Sequence, residues 1–229
     1  MRKRVAFFDI DGTVFRSSLL IELVEALVAE GIFPAAATDE YQGERVAWLN
    51  RTGTYEDYVA AVIAVFKEHL RGVKYGQVVD LGRQVVATKR QRVYRYTRDL
   101  LKKLKAEDYY LVAISQSPKW ILDEFCAQYG FDKAYGRLYE LGPQDSFTGQ
   151  VIDEHLIQNK ANIVKRVFEH NEELVRDESV AVGDTEGDLT LLESVTHPIC
   201  FNPNKKLYTE AKRRGWEVVV ERKDVIYYL

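Results

Sequence analysis

Near the start of this chain, Val5-Ala6-Phe7-Phe8-Asp9-Ile10-Asp11-Gly12-Thr13 passes from apolar, β-compatible residues straight into two carboxylates. That is the pattern of a buried strand ending in polar chemistry. Side chains alternate along a strand, so Asp9 and Asp11, two positions apart, are expected to project toward one side. Two carboxylates brought together repel by about 4 kcal/mol at roughly 4 Å for an effective dielectric near ~20, and a cation or a shared proton is needed to offset that cost. Gly12 permits a sharp departure of the backbone after such a strand, and Thr13 brings a hydroxyl and an amide alongside. A turn-capping role accounts for such aspartates equally well. What separates the two readings is whether other strands deliver a cation site and counter-charges to the same place.

The elements that must do so can be read from hydrophobic spacing. Leu19, Leu20, Leu23, Val24, Leu27 and Val28 recur at helical intervals up to Gly31. A second helix is expected from Pro34 to about Leu49. Thr54 caps a third, with Tyr58, Val62, Val65, Phe66 and His69 on one stripe, and a fourth covers Gln77 to Thr88. No strand is evident between Ser17 and Thr88.

Beyond that point the character changes. A helix through Val93, Leu100, Leu101 and Leu104 leads into a strand, Tyr109 to Ser115; a helix, Ile121 to Tyr129, precedes a strand from Ala134 to Leu141. Gly142, Pro143 and Gly149 mark a loop or small hairpin. A helix from Lys160 to Glu169, a strand from Ser179 to Asp184, a helix at Leu189 to Leu192 and a strand from His197 to Phe201 follow. A helix from Tyr208 to Arg214 and a last strand, Trp216 to Val220, end the series. The alternation predicts an α/β fold, a doubly wound, Rossmann-like parallel sheet whose ligands sit at the carboxyl ends of the strands. The helical stretch 16–88 reads as an inserted cap domain, and 1–15 together with 89–229 as the catalytic core.

Composition narrows the setting. At 229 residues, 46% hydrophobic and 29% charged, the chain can bury a sizeable core. A net charge of −3 gives no basic footprint, so no nucleic-acid partner is expected, and the basic run from Arg83 to Arg98 reads as a solvated helix face. No segment approaches the ~20 apolar residues of a membrane span, so no membrane partner is expected either. The apolar run behind Met1-Arg2-Lys3-Arg4 is too short for a signal peptide and is broken by Asp9. A cytoplasmic protein is the expectation. Cys126 and Cys200 lack Cys-x-x-Cys spacing and read as small core residues in a reduced compartment. His69, His155, His170 and His197 show no metal-ligand spacing.

Four pieces remain, in order: Asp9-Ile10-Asp11-Gly12-Thr13; Ser115 at a strand end; Lys160 within Asn159-Lys160-Ala161-Asn162-Ile163; and Gly183-Asp184-Thr185-Glu186-Gly187-Asp188. Each alone has an ordinary explanation: a strand end, a surface lysine, a helix cap. Together, over nearly the full length, they resemble the haloacid-dehalogenase-like phosphohydrolases. The resemblance implies a nucleophilic Asp9, an acid–base Asp11, Ser115 and Lys160 on the phosphate, and Mg²⁺ held by Asp9, the Asp11 carbonyl and Asp184. Asp188 would orient those ligands from behind.

The residue types suit those roles. Phosphoryl transfer asks for a placed nucleophile and for positive charge around the phosphoryl oxygens. A carboxylate can form an aspartyl-phosphate, and a second can give and take protons. An all-oxygen donor set suits Mg²⁺. The all-helical insertion, and the tail from Phe201 to Leu207 with Ala211 to Trp216, are similar to the phosphoserine-phosphatase-like branch, which implies a small phosphorylated substrate. Gly12 replaces the serine usual in that branch. Ser17 and Ser18 stand near the position of a glutamate that meets the substrate amino group, and Gln116, Ser117 and Pro118 occupy the place of glycines. These departures leave the phosphate chemistry and remove the charge that selects an amino acid. The same motifs would serve a phosphotransferase, or a phosphate-binding, receiver-like module. Tyr55, Tyr58, Arg45 and Arg51 are cap side chains that could face the site. Closure of such a cap would exclude water as the ester bond breaks.

Overall fold

The computed structural model describes residues 2–229. Its strands are β1 (Lys3–Asp9), β2 (Tyr110–Pro118), β3 (Lys133–Leu141), β4 (Phe147–Ile152), β5 (Leu174–Gly183), β6 (His197–Phe201), β7 (Glu217–Arg222) and β8 (Val225–Tyr228). They form one sheet in the order β4-β3-β2-β1-β5-β6-β7-β8. The six inner strands from β3 to β7 are parallel, as an alternating α/β chain requires. β1 lies between β2 and β5, with Phe8 opposite Ala113 on one side and Val182 on the other.

The unbroken apolar run of β1 follows from this central place, because helices cover both faces of the strand. Ala6 and Phe8 enter one hydrophobic core, and Val5 and Phe7 the other. Asp9 is the last residue of the strand, so the polar chemistry begins where the sheet stops.

Both edges of the sheet depart from the expected all-parallel pattern. The polar stretch after Leu141 is a hairpin that returns as β4, antiparallel to β3, with Leu138 opposite Ile152. The strand expected to end at Val220 runs on to Arg222, turns through Lys223 and Asp224, and comes back as β8. Val225, Tyr227 and Tyr228 of β8 are exposed, so it is an edge strand with little core signal of its own.

The helices are α1 (Leu19–Ala29), α2 (Gln42–Leu49), α3 (Tyr55–Leu70), α4 (Tyr75–Lys89), α5 (Arg95–Ala106), α6 (Lys119–Ala127), α7 (Glu154–Gln158), α8 (Lys160–His170), α9 (Leu189–Leu192) and α10 (Lys205–Arg214). Between β1 and α5 the main elements are helices, as expected. The single helix expected from Pro34 to Leu49 is instead a 3₁₀ segment, Ala35–Tyr41, followed by α2. Within the first part only Ala37 and Tyr41 are buried, too narrow a stripe to hold a full α-helix. No described helix is long and apolar enough to cross a membrane.

α1 to α4 are joined to the sheet through aromatic packing. Phe66 of α3 meets Phe33, Trp120 of α6 and Tyr139 of β3. The amide of Gly72 donates to the Phe147 carbonyl at 2.8 Å, which ties the end of α3 to β4. At its other end α3 starts with a capping box: Thr54 Oγ1 accepts the Asp57 amide at 3.1 Å, and the Asp57 carboxylate accepts the Thr54 amide at 3.4 Å. This box sets the first turn of α3, which carries Tyr55 and Glu56 over the strand ends. Replacing Thr54 by Ala should cost about 1 kcal/mol in urea unfolding. An unchanged midpoint would mean that packing of Trp48 on Tyr55 and Tyr58 holds the turn without the cap.

Candidate functional site

At the end of β1 the Asp9 carboxylate meets an ammonium that comes from far along the chain. Asn159 caps α8 by accepting the Ala161 amide, and Lys160, the first residue of that helix, reaches inward. Its Nζ donates to Asp9 Oδ1 at 2.6 Å and to Asp188 Oδ1 at 2.5 Å, and all three groups are buried. Asp188 Oδ2 in turn accepts the amides of Asp184 at 3.0 Å and Thr185 at 3.1 Å, so the turn after β5 is folded around this one side chain. Both Asp188 oxygens are occupied, one by the lysine and one by the turn.

Two glycines are dictated by how closely these acids pack. A Cβ on Gly183 would fall on the Asp188 carboxylate, and one on Gly12 would strike the Asp184 carboxylate. Gly12 also sits at φ +87°, in the left-handed region. Thr13 Oγ1 donates to Asp184 Oδ1 at 3.0 Å and steadies that carboxylate from the other side.

The cluster is short of positive charge. Ligand oxygens of Asp9, Asp184 and Asp188 lie within 4.8 Å of one another, with one lysine among them. Burial pushes the Asp9 carboxyl up to about 7, against the pull of Lys160. Asp184 stands well above the usual carboxylate range because of burial, with Asp9 and Asp188 adding to it. Burial alone would lower the Lys160 ammonium, but Asp188 and Asp9 outweigh it and hold it charged. Asp9 Oδ2 is buried without a hydrogen-bond partner. Two buried carboxylates and a half-buried third around one ammonium, with Asp9 Oδ2 unused, fit a hard divalent cation such as Mg²⁺.

The Asp11 side chain lines the same cavity as Asp9, as the alternation argument expects, but lies outside this acidic cluster. β1 has ended at Asp9, and the backbone folds into a tight loop in which the Gly12 amide bonds to the carbonyls of Phe15 and Ser17. The loop turns the Asp11 side chain toward β2. Its Oδ1 accepts the Leu19 amide at 2.6 Å, and its Oδ2 accepts the hydroxyls of Ser115 and, at 2.9 Å, Ser117. Burial raises the Asp11 carboxyl, against the hydrogen bonds of Ser115, Leu19 and Ser117. Ser115 is fully buried and accepts the Ser117 amide at 2.8 Å, so its single proton is directed to Asp11.

The groups converge on one cavity of about 420 Å³, lined by Asp9, Asp11, Lys160 and Asp184 at its floor. Tyr55 is on the wall; Tyr58, Arg45 and Arg51 are not. Glu22, the first glutamate after Asp11, is engaged by Lys89 at 2.9 Å and Arg92 at 2.7 Å and does not line the cavity. Ser18 does.

Several wall residues are not evident from the sequence. On α3, Val59, Ala60 and Ile63 join Tyr55 in facing the cavity, while Tyr58, Val62, Val65 and Phe66 face the core. The helix carries two apolar stripes, and the stronger one masks the other. Burial raises the Tyr55 hydroxyl well above its usual range, and the carboxylates of Asp11, Asp184 and Asp9 add to this, so the tyrosine looks onto the acidic floor. Arg137 of β3, Glu154 of α7 and Gln116 of β2 complete the wall. The available signal is an arginine at the middle of a strand, between Gly136 and Leu138.

Fold and site together define a Rossmann-like α/β protein with an acidic centre at the ends of its middle strands. The haloacid dehalogenase-like hydrolase family matches residues 6–193, and the chain belongs to that family. Among curated proteins it is 26% identical to Histidinol-phosphatase of Neisseria meningitidis serogroup C (strain 8013), over 95% of this chain and 98% of the relative. It is 24% identical to Phosphoserine phosphatase SerB1 of Mycobacterium tuberculosis (strain ATCC 25618 / H37Rv), over 93% of this chain and 69% of the relative. A protein of unknown function from Bordetella pertussis Tohama I has a similar structure, with TM-score 0.74 at 19% identity, covering 95% of this chain and 98% of that one. A phospho-aspartyl intermediate analogue of phosphoserine phosphatase gives TM-score 0.64 at 18% identity, covering 98% and 96%.

Removing the ammonium should expose the charge imbalance directly. Lys160→Met leaves Asp9 and Asp188 buried without their cation and should cost about 3 kcal/mol or more in urea unfolding without divalent ions. A loss below about 0.5 kcal/mol, the usual range for a surface substitution, would contradict the buried pairing.

Proposed function

We propose that the chain is a Mg²⁺-dependent phosphomonoester hydrolase that acts on a small phosphorylated metabolite through an aspartyl-phosphate at Asp9. The observation that carries this reading is the state of the Asp9 carboxylate. Lys160 holds one oxygen and fixes its rotation, while the other is buried beside the cavity with no protein partner. Residues 1–15 and 89–229 form the catalytic core in this reading, and 16–88 the cap above it.

Asp9 attacks phosphorus, the ester P–O bond breaks, and the leaving alkoxide takes a proton from Asp11. Water then attacks the acyl phosphate and gives its proton to Asp11, and inorganic phosphate leaves Asp9 restored. For the first step the Asp11 carboxyl must turn from β2 toward the leaving oxygen. That turn releases the Ser115 hydroxyl to donate to a phosphoryl oxygen. Lys160 supplies positive charge to Asp9 and the phosphoryl group, and Asp188 positions Lys160 and the turn that carries Asp184. Asp9, the Asp11 carbonyl and Asp184 would hold Mg²⁺, which supplies further positive charge as charge builds on the phosphoryl oxygens. The raised Asp11 carboxyl suits a group that carries a proton into the first step.

The two phosphatase names among the relatives refer to different esters, so histidinol phosphate and phosphoserine both belong in a panel with p-nitrophenyl phosphate. Purified protein should release inorganic phosphate with Mg²⁺ and stop on chelation. Asp9→Asn should lower kcat on the order of 10⁴-fold or more with the fold retained by circular dichroism. Asp11→Asn should lower it about 10²–10⁴-fold. Full turnover by Asp9→Asn would refute the nucleophile, and turnover indifferent to chelation would refute the cation.

A further inference from the structure

Away from the acidic floor, the cavity wall carries a cation of its own. Arg137 is 5% exposed, at the middle of β3. Its Nη1 donates to Glu154 Oε1 at 2.6 Å and its Nη2 donates to Gln116 Oε1, while Nε is buried with no acceptor. All three residues line the cavity. The guanidinium is held by two neighbours from different elements, β2 and α7, and one of its donor atoms is still unused. A buried donor without an acceptor is unfavourable, and an acceptor brought by a ligand relieves it.

The chemistry of that acceptor follows from charge. Glu154 already balances Arg137, and the remaining ionisable groups of the floor are acidic apart from Lys160. A second carboxylate would have to be desolvated beside Glu154 with no surplus positive charge to offset the cost. An uncharged acceptor loses far less on leaving water. Opposite, Val59, Ala60 and Ile63 of α3 offer an apolar surface for the body of the same ligand.

We propose that Arg137, clamped by Glu154 and Gln116, determines specificity for the leaving alcohol, which meets it with an uncharged hydrogen-bond acceptor such as a hydroxyl, a carbonyl or an unprotonated ring nitrogen. The inference rests on the phosphomonoesterase reading above and assigns the organic half of its substrate.

The test uses alkylphosphonates of two to five carbons, ending in a methyl, a primary amide or a carboxylate, titrated calorimetrically into the full chain with Mg²⁺. At the best length the amide should bind roughly 10-fold tighter than the methyl, and tighter than the carboxylate. Arg137→Met should abolish the amide advantage and leave methyl binding within about 3-fold. Glu154→Gln keeps the guanidinium and removes its counter-charge, so the carboxylate should become the tightest of the three. This second variant answers the question even if Arg137→Met fails to fold. Tightest carboxylate binding by the unaltered protein, or an amide advantage that survives Arg137→Met, overturns the assignment. So does Glu154→Gln with unchanged selectivity. Failure of the phosphatase reading looks different: none of the three phosphonates binds, and the assignment falls with it.

Discussion

The Lys160 ammonium lies between two buried carboxylates, and much of the local architecture is arranged to keep it there. Ionised groups removed from water are costly unless they are paired and hydrogen-bonded, and here the pairing joins residues more than a hundred positions apart. α8 must begin at Lys160, β1 must stop at Asp9, and the turn after β5 must bring Asp188 back over its own amides. Gly183 is required because the Asp188 carboxylate occupies the space of a side chain. Even so, the cluster remains too acidic, and this residual imbalance fits it for a divalent cation. A neutral cluster would stabilise the fold better.

How much of this is legible in the sequence depends on what kind of signal each part leaves. The central strands and their polar ends are legible because a strand buried on both faces has a continuous apolar run, and the acid that ends it breaks the run visibly. α7 and β8 leave little trace. α7 is a single short turn, and β8 is an edge with much of its surface in water. The direction of Asp11 is legible only in part. Alternation puts it on the cavity side with Asp9, but the loop at Gly12 turns its carboxylate toward Ser115 and out of the acidic cluster. Asp188 is legible as part of a motif, though its place beside Lys160 depends on contacts made in three dimensions. Arg137 is visible as an odd residue in a strand, and its meaning comes only from Glu154 and Gln116, which other elements supply.

The Asp11 and Ser115 pair shows how two sites can share one proton. A hydroxyl has a single hydrogen to donate, and here the carboxylate takes it. The arrangement holds both side chains in defined positions, since the Ser115 oxygen also accepts the Ser117 amide. Ser117 strengthens the arrangement by donating to Asp11 while its own oxygen accepts the Leu20 amide at 3.0 Å, which links the end of β2 to the start of α1. Gln116 and Ser117, near the end of β2, therefore have two separate effects. One residue fixes the acid, and the other fixes the arginine on the opposite wall.

The helices above the sheet are anchored unevenly, and the unevenness lies where the site needs it. At the far end of α3, Phe66 packs among aromatic rings from the sheet side, and the chain beyond it bonds to β4. At the near end the contact with the other half of the sheet is polar, a hydrogen bond of 3.3 Å from Asn204 to Glu56 beside the exposed Lys206–Glu186 pair. Buried aromatic area resists separation, whereas partly solvated hydrogen bonds exchange readily with water. Local opening draws on the weaker contacts first. The first turn of α3 therefore separates from the strand ends at lower cost than its last turn does. Tyr55 sits on that first turn above the acidic floor, so the side chain that walls the cavity there belongs to the part of the helix most easily lifted away.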